Sequence, residues 1–145
     1  MTISDALIAD TRALLKSARD ASRHLATATT AQKNRFLQAV IDELQHAEDE
    51  LLSANAADVL RAEQSGRNAA FVDRLRMDRA RLQSLRDAVS EIAALPDPVG
   101  EITSGSVRPN GLHVQQVRIP LGVIGIVYES RPNVTIDAGL SLIHI

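Results

Sequence analysis

Leu121-Gly-Val-Ile-Gly-Ile-Val127 is an apolar run without one polar residue, and Tyr128-Glu-Ser-Arg-Pro-Asn133 follows it at once. A short run of this kind reads as a strand buried on both faces, as found inside a parallel α/β sheet. In open α/β sheets ligands bind outside the carboxyl ends of the strands. The polar segment 128–133 stands at that place. Arg131 offers a planar fork suited to carboxylate or phosphate. Asn133 offers an amide N–H able to stabilise a developing oxyanion, and Pro132 stiffens the turn between them. The bland alternative makes Glu129 and Arg131 ordinary loop charges and Asn133 a helix cap. Pattern alone leaves both open. A helix is expected to begin near Thr135 or Asp137, both good cap residues.

Upstream of the run, Val107 to Ile119 alternates around Asn110-Gly111, the dipeptide favoured in type I′ hairpin turns because both turn positions need positive φ. The alternation slips once, at Gln115-Gln116. Residues 1 to about 95 read as successive helices. Leu7, Leu14, Ala18, Ala21 and Leu25 form one apolar stripe. A second helix opens at Thr30 and carries Leu37, Val40, Leu44, Ala47 and Leu51. A third, shorter one is expected from Asn55, with Asp58 in its first turn, and ends at Gly66. Asp78 caps a fourth, with Leu82, Leu85, Val89 and Ile92 facing inward, and Pro96 and Pro98 close the helical region. The fold class is therefore α/β: a helical arm, a β-hairpin, then the first strand and the start of a helix of a larger sheet domain.

Composition narrows the function classes. The chain has 145 residues, 45% of them hydrophobic, and a formal charge of −2. That charge gives no case for nucleic acid or an anionic membrane as a partner. The aromatic residues are Phe36, Phe71 and Tyr128 alone, so the core is expected to be built from small aliphatic faces. Cysteine is absent, which removes disulfides, thiolate metal sites and a cysteine nucleophile. The four histidines have no metal-ligand spacing. Gly122-Val-Ile-Gly125 is a GxxG inside the apolar run and not the turn that seats a pyrophosphate. No stretch approaches the ~18 apolar residues of a membrane span. The amino terminus lacks the basic and apolar regions of a signal peptide, and a cytoplasmic location is expected.

Leu95-Pro-Asp-Pro-Val-Gly-Glu101, Arg108-Pro-Asn-Gly-Leu112 and above all Val117-Arg-Ile-Pro-Leu-Gly-Val-Ile-Gly-Ile-Val-Tyr-Glu-Ser-Arg-Pro-Asn-Val-Thr135 resemble γ-glutamyl phosphate reductases. These are the glutamate-5-semialdehyde dehydrogenases of the aldehyde dehydrogenase superfamily. Ala54-Asn-Ala-Ala-Asp58 and Phe71-Val-Asp-Arg-Leu75 followed by Arg81 agree less tightly, so the resemblance runs from about Lys33 to Leu142. It implies NADPH-dependent reduction of γ-glutamyl phosphate to glutamate 5-semialdehyde and phosphate, in proline biosynthesis. A cysteine thiolate attacks the acyl phosphate, and hydride from the nicotinamide reduces the resulting thioester.

The resemblance also implies roles. Asn133 matches the asparagine whose amide holds the thioester oxygen. Main chain of Val127, Tyr128, Glu129 and Ser130 lies against NADPH, and Arg131 meets a substrate anion. Residues 1-100 become the helical part of an NADP-binding domain, and 101-145 its hairpin, first strand and loop. The whole enzyme is expected to be a homo-oligomer that binds no nucleic acid or membrane. Two departures qualify this. The family's cysteine lies downstream and is not in this chain, so the chain is expected to be an inactive N-terminal fragment. After Leu142 the family continues differently, and Ile143-His-Ile145 is expected to be foreign. The alternative is a short non-catalytic module whose helices and hairpin bind full-length subunits.

Overall fold

The computed structural model describes residues 4–129 and 131–144. Its elements, in chain order, are α1 (Asp5–Leu25), α2 (Thr30–His46), α3 (Glu48–Gln64), α4 (Ala69–Leu75), α5 (Arg79–Ala94), β1 (Ile102–Val107), β2 (His113–Val117) and α6 (Pro132–Ser141). They fall into two units. One holds α1 and the β1–β2 hairpin, and the other holds α2 to α5 with α6.

In the first unit α1 is capped by Ser4, whose hydroxyl accepts from the Leu7 N–H. None of its residues is buried. Leu7, Leu14 and Leu15 lie more than half exposed, so the apolar stripe read from the sequence exists but covers nothing within this unit. The hairpin is antiparallel, pairing Val107 with His113 through Ser104 with Gln116, and then Ile102 with Val117. Thr103 is thus an extra residue, a β-bulge opposite Gln116 and Val117. The break in alternation seen in the sequence falls beside that bulge.

The hairpin turn differs from the expected type I′. The Gly111 N–H donates to the Arg108 carbonyl at 2.8 Å, which puts Pro109 and Asn110 at the centre of the turn. Proline's φ is locked near −65°, whereas a type I′ turn needs positive φ at both central positions. The positive φ falls one residue later, at Gly111 (+84°). The Arg108 N–H bonded to the Leu112 carbonyl at 2.8 Å closes a three-residue loop.

The second unit is a helical layer. Leu37, Val89, Leu140 and Ile143 form one buried cluster with Val40, Ile41 and Ile92 around it. Leu44, Leu82 and Leu85 form the next, and Val59, Ala62 and Val72 pack α3 on α4. Ile143, expected as foreign, is 93% buried in the first of these clusters. Arg67 N–H to Ala62 carbonyl and Gly66 N–H to Glu63 carbonyl close α3 in a Schellman motif at Gly66, which has φ +72°. Asp78 caps α5 by accepting from the Arg81 N–H at 2.7 Å, as the sequence indicates.

Three boundaries depart from the sequence reading. The second and third helices meet at Ala47 and not near Asn55. The acidic triplet Glu48-Asp49-Glu50 forms the first turn of α3, where negative charge is favoured. Arg86 and Arg79 hold Glu48 there at 2.9 and 2.7 Å. The short α4 was not separated by periodicity, and Asn68 caps it by accepting from the Phe71 N–H at 2.8 Å.

The third departure matters most. The strand expected at Leu121–Val127 does not form, and residues 118–129 carry no regular secondary structure. Leu121 is 71% exposed and Val127 fully so. A strand exists through ladder hydrogen bonds to a neighbour, and a parallel strand needs cover on both faces. Among the described residues β1 and β2 pair only with each other. The run lacks both partner and cover. The α/β class is met by the helices and the two-stranded antiparallel sheet.

Candidate functional site

Pro132 is the first residue of α6, and Arg131 before it is extended, with φ −118° and ψ 104°. Both follow from proline chemistry. The ring pre-sets helical φ where no N–H partner is needed, and it drives the preceding residue out of the helical region. The helix therefore starts three residues before the expected Thr135. This rearranges the roles read from the sequence.

Asn133 is neither a cap nor a loop residue. It sits one residue inside the first turn, half-buried, and its side-chain nitrogen donates to the Asp137 carboxylate at 2.8 Å. An ionised carboxylate can only accept, so the amide nitrogen must face Asp137. One of its two N–H bonds is used in this way, and the other has no partner among the described residues. The Asp137 carboxylate thereby fixes the amide's orientation, a role the sequence reading missed. The signal that could have found it is the i, i+4 spacing, once Pro132 is taken as the helix start.

Tyr128 is pinned to the same turn. Its hydroxyl and that of Thr135 lie 2.5 Å apart, while about half of the residue stays exposed. Val127 and Glu129 are exposed. Ser130 lies outside the described residues. The stretch thus presents accessible main chain and one aromatic face beside the head of α6.

Arg131 opens onto a cleft of about 420 Å³ formed by α4, α5 and the first turn of α6. Asp73, Arg74, Arg76 and Arg81 line one side, and Arg131, Asn133 and Asp137 the other. Ser84, Leu85 and Ala88 form part of its wall. Arg81 makes three bonds here: it donates to the Asp73 and Arg76 carbonyls at 2.6 Å each and to the Asp73 carboxylate at 3.0 Å. Asn55 supports the same wall from behind. Its nitrogen donates to the Leu75 carbonyl at 2.9 Å and its oxygen accepts from the Met77 N–H at 2.6 Å. Among the described residues no group of His, Asp and Glu is placed to hold a metal ion. No described helix is long and apolar enough to cross a membrane.

No family profile matches the chain. Individual relatives do. The gamma-glutamyl phosphate reductase of Brucella anthropi is 53% identical over 124 residues, which is 86% of this chain and 29% of that enzyme. That of Thermobifida fusca is 49% identical over 129 residues, 89% of this chain and 31% of the enzyme. The crystal structure of the Thermotoga maritima enzyme superposes with a TM-score of 0.87 at 38% identity, covering 89% of this chain and 31% of that one. The Saccharomyces cerevisiae enzyme gives a TM-score of 0.87 at 25% identity, covering 99% of this chain and 35% of that one. The chain thus matches the gamma-glutamyl phosphate reductases in sequence and in fold alike, over about three-tenths of the length of the curated relatives.

Proposed function

We propose that this chain is a fragment of an oxidoreductase that reduces γ-glutamyl phosphate to glutamate 5-semialdehyde and phosphate in proline biosynthesis. The observation that carries the reading is the Asn133 amide, oriented by Asp137 in the first turn of α6, with one N–H unused. It supplies what acyl transfer needs, a fixed donor aimed at an oxygen that gains negative charge. Arg131, at the mouth of the cleft, is the group for a substrate anion. The nucleophile is a cysteine, which this chain does not contain, so the 145 residues are inert by themselves.

The cofactor in this reading is NADPH, which supplies hydride when bound. Val127, Tyr128, Glu129 and Ser130 are assigned to one edge of it. The accessible backbone and half-exposed ring at 127–129 fit that assignment. None of these residues is a pyrophosphate turn, so they would hold only that edge. Residues 1-100 and 101-145 are parts of one NADP-binding domain, and the whole enzyme is a cytoplasmic homo-oligomer without nucleic-acid or membrane partners. A second reading, an interaction module for full-length subunits, is favoured by α1, none of whose residues is buried and whose leucines stand exposed.

A graft separates the two. The matching stretch of the Brucella anthropi relative is replaced by this chain, and NADP-linked turnover is assayed with the semialdehyde and phosphate, the direction that avoids a labile acyl phosphate. Turnover within about tenfold of the parent supports the reductase reading. A folded but inactive graft, beside a free chain that is monodisperse and unfolds cooperatively, would establish the interaction module instead.

A further inference from the structure

The cleft wall holds more cationic charge than the substrate reading has used. Arg74, Arg76, Arg81 and Arg131 face Asp73 and Asp137, so four positive charges against two negative leave a formal +2. These arginines are not equivalent. Arg81 is spent on Asp73 and two carbonyls, and Arg76 reaches Glu63 at 3.4 Å. Asp137 is occupied by Asn133. Arg74 on α4 and Arg131 at the head of α6 have no side-chain partner among the described residues, yet both line the same cleft. Two uncommitted guanidiniums in the lining of one cavity lack a side-chain counter-anion among the described residues.

We infer that this cleft is a phosphate site in which Arg74 and Arg131 together grip one phosphoryl group of a small-molecule ligand. The inference rests on the reading of Arg131 as an anion partner, and it adds Arg74 as the second cation. A phosphate dianion matches the +2 of the walls, and its tetrahedral oxygens accept from two planar forks at once. A carboxylate carries one charge and presents two oxygens, so it satisfies one fork and leaves the other. Arg81 is already bound to the Asp73 and Arg76 carbonyls, so it holds the end of Arg74's helix in place.

The test titrates the graft, labelled with 15N-arginine, with inorganic phosphate, and separately with glutamate, while the Arg Nε–H resonances are followed by NMR. Phosphate is expected to saturate these shifts, and glutamate to bind at least several-fold more weakly. Arg74→Gln and Arg131→Gln should each weaken phosphate roughly tenfold or more. Arg108→Gln, on the hairpin, should leave it unchanged. Loss with Arg131→Gln but not with Arg74→Gln keeps the Arg131 reading and overturns the two-cation site. Loss with neither overturns both. Glutamate binding as tightly as phosphate overturns the phosphate class. Should either variant fail to fold, by circular dichroism, the unsubstituted graft still decides: the Arg74 and Arg131 Nε–H resonances both move with phosphate, or the inference falls.

Discussion

Two asparagines show what the residue scale contributes, and they were read very differently from the sequence. Asn133 was picked out by its place after an apolar run and by resemblance, and the structure gives it a fixed orientation through Asp137. Asn55 is read from the sequence as a helix start and as part of a resembling stretch. Its amide in fact completes the α4–α5 connection by pairing with the Leu75 carbonyl and the Met77 N–H. No local pattern announces such a role, because the partners are 20 and 22 residues away. Asn55→Ala leaves a part-buried donor and acceptor without partners and should destabilise the helical unit by about 1–3 kcal/mol. Urea unfolding measures this directly, and a loss under about 0.5 kcal/mol would mean that water replaces the amide without cost. Leu82, 1% exposed, sets the scale for comparison. Leu82→Ala should cost about 2–5 kcal/mol by transfer and cavity terms.

At the scale of elements, the helices were legible wherever a cap and a stripe agreed. Asp78 with Leu82, Leu85 and Val89 predicts α5, and Gly66 marks the end of α3. Two misreadings share one cause, a local proline that outweighed the pattern. Pro132 starts α6 earlier than Thr135 does, and Pro109 moves the hairpin turn off Asn110-Gly111. The Ala47 junction has no breaker in the sequence. It is held by Glu48, which receives Arg79 and the well-covered Arg86 from α5. Glu48→Ala removes the carboxylate that Arg86 holds, one of the two that Arg79 holds, and one charge from the first turn of α3, for an expected loss of about 1–3 kcal/mol. High salt should reduce that loss only slightly, because the Arg86 pair is largely screened from solvent. For the hairpin, a Cβ at Gly111 would meet nothing within 4 Å. The cost of Gly111→Ala is then purely that of positive φ, about 1–2 kcal/mol. Loss of the Ser106–Val114 cross-strand NOE reads it, and an undiminished NOE would show that the turn tolerates the change.

For the whole molecule, the largest gap between sequence and structure is the strand at Leu121–Val127. The sequence marks a segment whose composition asks for burial on both faces, and none of the described residues buries it. Leu121, Val123, Ile124, Ile126 and Val127 all stand exposed. Burial is a property of neighbours, so a segment's own composition states what it needs and not what it has. The relatives are about three times longer than this chain. The free chain should therefore self-associate at micromolar concentration and bind an apolar dye, as exposed contiguous apolar surface does. A monodisperse, dye-silent chain in sedimentation velocity would favour the interaction module. In the proposed reading the candidate site is likewise half written here: the residues proposed as oxyanion donor and anion partners lie in this stretch, and the chain has no cysteine. The most direct test of the account is Asn133→Ala in the active graft. Turnover should fall roughly 10²–10³-fold with little change in the Michaelis constants, as for loss of one oxyanion donor. Turnover within a few-fold of the unsubstituted graft would contradict the assignment and remove Asn133 from the chemistry.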